Sequence, residues 1–309
     1  MKFAPSTTRL LYRGSLSSCN YACGYCPFAK TRNTKAELDR DRQQLHRFVD
    51  WVERGDRPLG VLFTPWGEAI ILRYYREAMV RLSLMSHVRR VAIQTNLSGH
   101  LDDLGGGDVE RLAIWATYHS SETDPDRFLA RCQKLDLLGI RYSVGMVGFR
   151  EHFQTIAELR KRLPSHVYLW INVPKSSGII YSDEEQRFLE SIDPYFRWNG
   201  RRWSSRGRAC SAGTSSLSID GEGDVRRCHF VDEVIGNIHR DDVWPRLKER
   251  TCPNATCGCH IGYVNRDDFP LRRVFGDGLL ERIPAEWPEV NAEMMIPKAV
   301  QSLPVVDDC

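Results

Sequence analysis

Cys19-Asn20-Tyr21-Ala22-Cys23-Gly24-Tyr25-Cys26 places three cysteines in one short loop, and the next cysteine along the chain, Cys132, is more than a hundred residues away. The count is more telling than the spacing. A structural zinc site is closed by four N or S ligands, and an ordinary 4Fe-4S cluster takes four thiolates. Three clustered thiols point instead to an iron–sulfur cluster with one iron left open to a ligand that is not protein.

Outward from this loop, short apolar runs alternate with helix-period segments as far as about residue 195. Strands are expected at Thr8–Tyr12, Gly60–Phe63, Val88–Gln94, Arg111–Ala116, Arg141–Val147 and His166–Val173. Helices are expected at Ala36–Glu53, Ile70–Met85, Asp126–Leu138, His152–Leu163 and Ser182–Ile192. Pro125 and Gly139 punctuate the third of these helices, and Asp183 and Glu184 suit the first turn of the last. The pattern predicts an α/β fold with a parallel sheet wrapped by helices, and periodicity alone does not say whether that sheet is flat or curled. In either form ligands gather beyond the carboxyl ends of the strands. That rim collects the cysteine loop after strand one, Pro65-Trp66-Gly67-Glu68 after strand two, and Thr95-Asn96 after strand three. His119 follows strand four, and Asn172 lies near the end of strand six.

The composition narrows the class. The chain has 309 residues, 42% hydrophobic and 27% charged, enough to bury a sizeable core. Lys and Arg exceed Asp and Glu by only three, and no like-charge block stands out, so nothing calls for nucleic acid. No apolar stretch is long enough for a membrane span, and residues 1–10 lack the apolar run of a signal peptide. A cytoplasmic location with reduced thiols is expected, where ten cysteines read as metal ligands or reactive groups. Cys132, among Phe128, Leu129 and Leu135, reads as core packing, and Cys309 as incidental.

Past residue 200 the pattern changes. Arg201, Arg202, Arg206 and Arg208 make an irregular basic stretch, and a hairpin is expected from Ser215–Ile219 through Asp220-Gly221-Glu222-Gly223 to Val225–Phe230. Cys210, Cys228, Cys252, Cys257 and Cys259 form a second cysteine group, and His260 stands beside it. From Tyr263 onward Pro recurs with little periodicity, which predicts short segments and partial fraying. The expected organisation is a core domain at 1–200, a cysteine-rich unit at 201–262 and a tail at 263–309.

Cys19-x3-Cys23-x2-Cys26, with Tyr25 before the last cysteine and a strand before the first, resembles the signature of radical S-adenosylmethionine (SAM) enzymes. The resemblance covers about residues 7–195 and implies a partial (β/α)6 TIM-like barrel. It further implies that Cys19, Cys23 and Cys26 bind a 4Fe-4S cluster whose open iron is chelated by S-adenosyl-L-methionine. Gly67-Glu68 stands where the family has Gly-Gly-Glu-Pro, an acceptor for the SAM amino group, with Trp66 and Ala69 as departures from that pattern. Thr95 and Asn96 resemble the family's polar strand end near SAM, Tyr25 is implied near the adenine or the cluster, and His119 near SAM or substrate. Taken whole, the chain looks closest to a bacterial radical-SAM family encoded beside other radical-SAM and sulfatase-like proteins.

Cys210-x17-Cys228, with Gly223 before it and Gly236-Asn237 after, is similar to the twitch unit, the shorter relative of the SPASM extension; Cys252-x4-Cys257-x-Cys259 supplies the remaining thiols. An auxiliary 4Fe-4S cluster is implied. Five thiols leave one spare, so one of Cys252, Cys257 or Cys259 is a candidate hydrogen-atom donor. The resemblance favours modification of a peptide or protein. The rival readings are dehydrogenation or epimerisation of a small molecule such as an aminosugar, and a non-catalytic zinc-binding protein. An external electron donor such as flavodoxin or ferredoxin is implied. Strand one begins near residue 8, which leaves no room for a fused leader-peptide-binding domain; a separate partner would supply that function.

Overall fold

The structure, a computed structural model, describes residues 7–28, 31–174 and 178–288. Cys309 and the end of the expected tail lie outside the described residues.

Six parallel strands follow the expected order: β1 (Thr8–Gly14), β2 (Leu59–Phe63), β3 (Val88–Thr95), β4 (Leu112–Thr117), β5 (Arg141–Val147) and β6 (Tyr168–Asn172). Helices α1 (Lys35–Glu53), α2 (Arg73–Ser83), α3 (Pro125–Leu138), α4 (Phe153–Arg162) and α5 (Asp183–Ile192) alternate with them. Capping chemistry sets their starts. Thr34 with Glu37, and Ser182 with Glu185, form reciprocal capping boxes, while Asp124 caps α3 ahead of Pro125. Gly139 ends α3 at φ 71°, a left-handed stop that glycine adopts without strain. Helix α2 begins at Arg73 rather than Ile70, because residues 70–72 are spent on the turn leaving the Glu68 loop.

The faces of the sheet settle its shape. Leu10, Tyr12, Val61, Phe63, Val91, Ile93 and their alternates pack against all five helices in one cluster. Leu11, Leu62, Ala92, Ala113, Trp115 and Trp170, one residue out of phase, form a second cluster that contains none of those helices. A doubly wound flat sheet carries helices on both faces. The five alternating helices on one face only, with β1 and β6 side chains meeting in one cluster on the other, describe a curled, TIM-like sheet.

Two features depart from the expected organisation. After α6 (Phe196–Asn199), β7 (Trp203–Ser204) and β8 (Ala209–Cys210), the hairpin strands β9 (Ser216–Asp220) and β10 (Asp224–Arg226) join the main sheet instead of standing apart. Strand β9 runs parallel to β1, with Arg9 opposite Ser216, and β11 (Val234–Asn237) completes a nine-stranded sheet in the order β11-β10-β9-β1-β2-β3-β4-β5-β6. The sheet therefore continues across the boundary expected at residue 200.

The second departure is the segment after Tyr263. It is core, not fringe, through residue 283. After β12 (Arg250–Thr251), β13 (Thr256–Cys257) and α7 (His260–Tyr263), α8 (Leu271–Phe275) and the turns that follow put Tyr263, Leu271, Phe275, Leu279 and Leu280 into the inner cluster. Glu281 is fully buried, 3.3 Å from Arg90 Nε and 3.1 Å from Arg141 Nε, and its carbonyl accepts from Ser143 Oγ at 2.6 Å. The end of the described chain thus closes the inside of the curled sheet.

Candidate functional site

The three-cysteine loop leaves β1 through a set of polar anchors. Asp41 on α1 accepts from the backbone N–H of Ser15 and Leu16, and Asn33 accepts from those of Ser17 and Ser18. Opposite runs the loop after β2, where Gly67 N donates to Leu16 O at 3.1 Å and Glu68 N to Ser18 O at 3.0 Å. This backbone zipper explains the glycine: a Cβ on residue 67 would stand 2.2 Å from Ser18 O.

Glu68 ties the strand ends together. Its buried carboxylate accepts from Thr95 Oγ1 at 2.6 Å, from Asn96 N at 2.6 Å and from Ile70 N at 3.3 Å. Burial pushes its pKa up to about 7, against the pull of those three donors. A carboxylate has about four acceptor positions, so one remains for a ligand's ammonium. Asn96 reaches the other way, its Nδ2 donating to Asn20 Oδ1 at 3.1 Å and lying 3.7 Å from Cys19 Sγ. Asn96 thus meets the cysteine loop directly, and Thr95 is joined to it through Glu68.

His119 is deeply placed. Its Nδ1 lies 3.3 Å from Cys23 Sγ and 2.7 Å from the Tyr25 hydroxyl. Burial lowers its pKa to about 4, so the ring is neutral, and one ring nitrogen serves two partners. Tyr25 packs near parallel to His119 and tilted against Phe149. Burial also drives the Cys23 thiol up to about 12 and raises that of Cys19. Asn172 is committed elsewhere, accepting from Asn199 Nδ2 at 2.9 Å and Arg282 Nη1 at 3.0 Å.

The second cysteine group surrounds a cavity of about 550 Å³ lined by Cys210, Cys228, Cys252, Cys257 and Cys259. Short ribbons bring them in: β8 pairs with β12 so that Cys210 stands opposite Arg250 and Cys252 N donates to Arg208 O, and β7 pairs with β13 to place Cys257 opposite Trp203. Arg202, Arg206, Arg227 and Arg266 share the same walls, whereas Arg201 stacks on Trp203 at 4.3 Å. His260 packs edge-on against Trp115, Tyr263 and Phe275. Cys132 lies in the outer core, as expected. None of the nine described cysteines is in a disulfide.

Among the described residues, no three His, Cys, Asp or Glu side chains converge as they would around one metal ion. The auxiliary thiols enclose a volume, with cations around it. That donor set suits an anionic polynuclear cluster, which is larger than an ion and spreads its ligands apart. Three thiols beside Asn96 and His119 suit a cluster that keeps one iron for another ligand.

Arg13, Phe28 and His229 at this rim were not singled out by their sequence. Arg13, only 9% exposed, lies with its Cζ 4.2 Å from the centre of the Trp66 ring. Trp66 packs on Phe28 with ring centres 4.4 Å apart, and meets His229 edge-on. Phe28, Trp66 and Phe230 are exposed aromatics joined in a row through His229, and Phe230 lines the auxiliary cavity.

No family model matches this sequence, and no curated protein matches it. Among solved structures it is similar to SuiB of Streptococcus suis bound to S-adenosylmethionine, with a TM-score of 0.52 at 15% identity over 79% of this chain and 66% of SuiB. It is also similar to anSMEcpe with bound AdoMet and a peptide, with a TM-score of 0.50 at 12% identity over 77% of this chain and 79% of that one. BtrN in an open conformation is a looser match, TM-score 0.37 at 14% identity over 77% and 80% of the two chains. At these identities the likeness is one of fold. The fold of this chain is that of the radical SAM enzymes.

Proposed function

We propose that this chain is a radical SAM enzyme that acts on a peptide or protein. The reading is carried by one observation: a three-thiol loop at the end of β1 is packed against Glu68, Thr95, Asn96 and His119 from the ends of the next three strands. Cys19, Cys23 and Cys26 hold the iron–sulfur cluster, and the spare acceptor position of Glu68 receives the amino group of SAM. When bound, this pair supplies a 5′-deoxyadenosyl radical that abstracts a hydrogen atom from substrate. The chain's own part is to bind, orient and exclude water. Glu68 and the Gly67 zipper fix the loop, while Tyr25 and His119 cover Cys23.

Cys210, Cys228, Cys252, Cys257 and Cys259 provide the ligands of an auxiliary 4Fe-4S cluster in a twitch-like unit, with one thiol to spare. The exposed aromatics Phe28, Trp66 and Phe230 support a peptide lying along their row, as does the likeness to anSMEcpe, a protein solved with a peptide bound. A flavodoxin or ferredoxin is the proposed electron donor, in the cytoplasm.

The test is anaerobic reconstitution with iron, zinc and sulfide counting, followed by incubation with SAM and a reductant. The expected result is about eight irons per chain, two clusters of four, with 5′-deoxyadenosine formed only while Cys19, Cys23 and Cys26 are intact. Bound zinc with no SAM cleavage would sink the proposal. Deuterium transfer into 5′-deoxyadenosine from labelled small molecules but never from labelled peptides would overturn the substrate class alone.

A further inference from the structure

The buried arginines of the chain differ in how their charge is met. Arg76 pairs with Asp103 at 2.8 Å, and Arg266 with Asp268 at 2.6 Å. Arg160 donates to the carbonyls of Val167, Leu163 and Pro164, and Arg227 to those of Thr251 and Arg250. Arg282 bonds Asn172 and lies in the field of the buried Asp193. Arg13 is the exception. Among the described residues it has one hydrogen bond, from Nη1 to Thr64 Oγ1 at 3.2 Å, and the Trp66 ring.

A guanidinium taken this far from water is costly unless an anion faces it. Cys259 and Cys228, both on the wall of the auxiliary cavity, are the groups that would offset the burial of Arg13 once they are thiolates. His229, next to Cys228, reaches the same Trp66 ring that carries Arg13, with ring centres 6.4 Å apart. A neutral thiol offers a cation nothing, whereas a thiolate bound to iron is deprotonated outright. A 4Fe-4S core held by four thiolates carries a net negative charge that grows when an electron is added.

We propose that Arg13 is the counter-charge of the auxiliary cluster: a cation rooted on β1 and clamped by Trp66, whose ring meets His229 next to Cys228, that raises the cluster's reduction potential. Net charge and local hydrogen bonding set cluster potentials over a wide range. A nearby cation stabilises the reduced, more negative form over the oxidised one. Arg13 touches no reacting atom and acts through the cluster as a positioning and tuning residue. This assignment rests on the auxiliary cluster of the proposed function.

The experiment uses the full chain with Cys19, Cys23 and Cys26 all replaced by Ala, so that one cluster remains to be read. Iron is counted after anaerobic reconstitution, and the midpoint potential is taken from an EPR-monitored redox titration. Arg13→Gln is expected to keep about four irons and to shift the midpoint to a more negative value. Arg13→Lys, which keeps the charge but loses the planar stack on Trp66, is expected to restore most of that shift. Should Arg13→Gln lose iron while Arg13→Lys retains it, the requirement for charge is met in a stronger form. Full iron with an unmoved potential in Arg13→Gln, or equal iron loss in both variants, overturns the role of Arg13 and leaves the auxiliary cluster standing. A parent protein without iron at this site removes the auxiliary cluster itself, and the assignment with it.

Discussion

Thr95 donates its hydroxyl to Glu68 at 2.6 Å, across the gap between the ends of β3 and β2. The bond belongs to a carboxyl group whose pKa burial raises to about 7, so over part of the pH range the folded protein holds a proton there that the unfolded chain has released. The stabilisation this gives is complete below the unfolded value near 4.5 and is lost as pH rises through about 7. Stability of the metal-free protein is therefore expected to fall over that window, by up to ~3 kcal/mol from this group. Glu68→Gln should flatten the slope. Urea denaturation at stepped pH reads it, and an unchanged slope in the variant would refute the assignment.

Gly67→Ala tests the zipper between the two loops. The added methyl would meet Ser18 O at 2.2 Å, with Ser18 N and Leu16 Cγ each at 2.9 Å, which leaves it nowhere to go. The cysteine loop must shift, so the variant is expected to lose the iron held by Cys19, Cys23 and Cys26 while keeping the iron of the auxiliary site. Iron counting after reconstitution distinguishes that from a general loss of fold.

Glu281→Ala leaves Arg90 and Arg141 facing one another inside the sheet. Breaking a buried ion pair costs about 3–5 kcal/mol. Because Arg141 is 39% exposed and reaches water, a loss nearer the lower bound is expected. A midpoint in urea unchanged by the substitution would show that the tail does not hold the barrel shut.

Gly145→Ala probes the inner face of β5. Its Cβ would lie 2.1 Å from the Trp170 indole, itself fully buried and donating to Ser143 Oγ at 3.1 Å. Overpacking of this kind costs roughly 1–3 kcal/mol. The variant should unfold at lower temperature by calorimetry while Arg13, on the far edge of the six-stranded set, keeps its surroundings.

The six parallel strands were legible because each is an apolar run bounded by caps, glycines or prolines, and the cysteine loop because its thiols are too few to close a site. Glu68, Thr95 and Asn96 were legible by position after their strands. Other relationships arise from contacts that no local pattern encodes. Cys23 and His119 are distant in sequence and meet only because β4 ends beside β1's loop. The pairing of β9 with β1 has the same origin, since a short strand carries no mark of its partner. Residues 263–283 fill the interior one side chain at a time, as Tyr263, Leu271 and Phe275 do, so no helical or strand period betrays their burial.

The register of Arg9 against Ser216 also orders events during synthesis. A ribosome adds about 5–20 residues per second, so β1 spends on the order of ten seconds with one edge unpaired before its neighbour emerges. Open strand edges recruit other chains. A nascent chain paused before β9 therefore carries the three-thiol loop on a sheet whose β1 edge is still open, and Ser216 is the first residue whose arrival closes it.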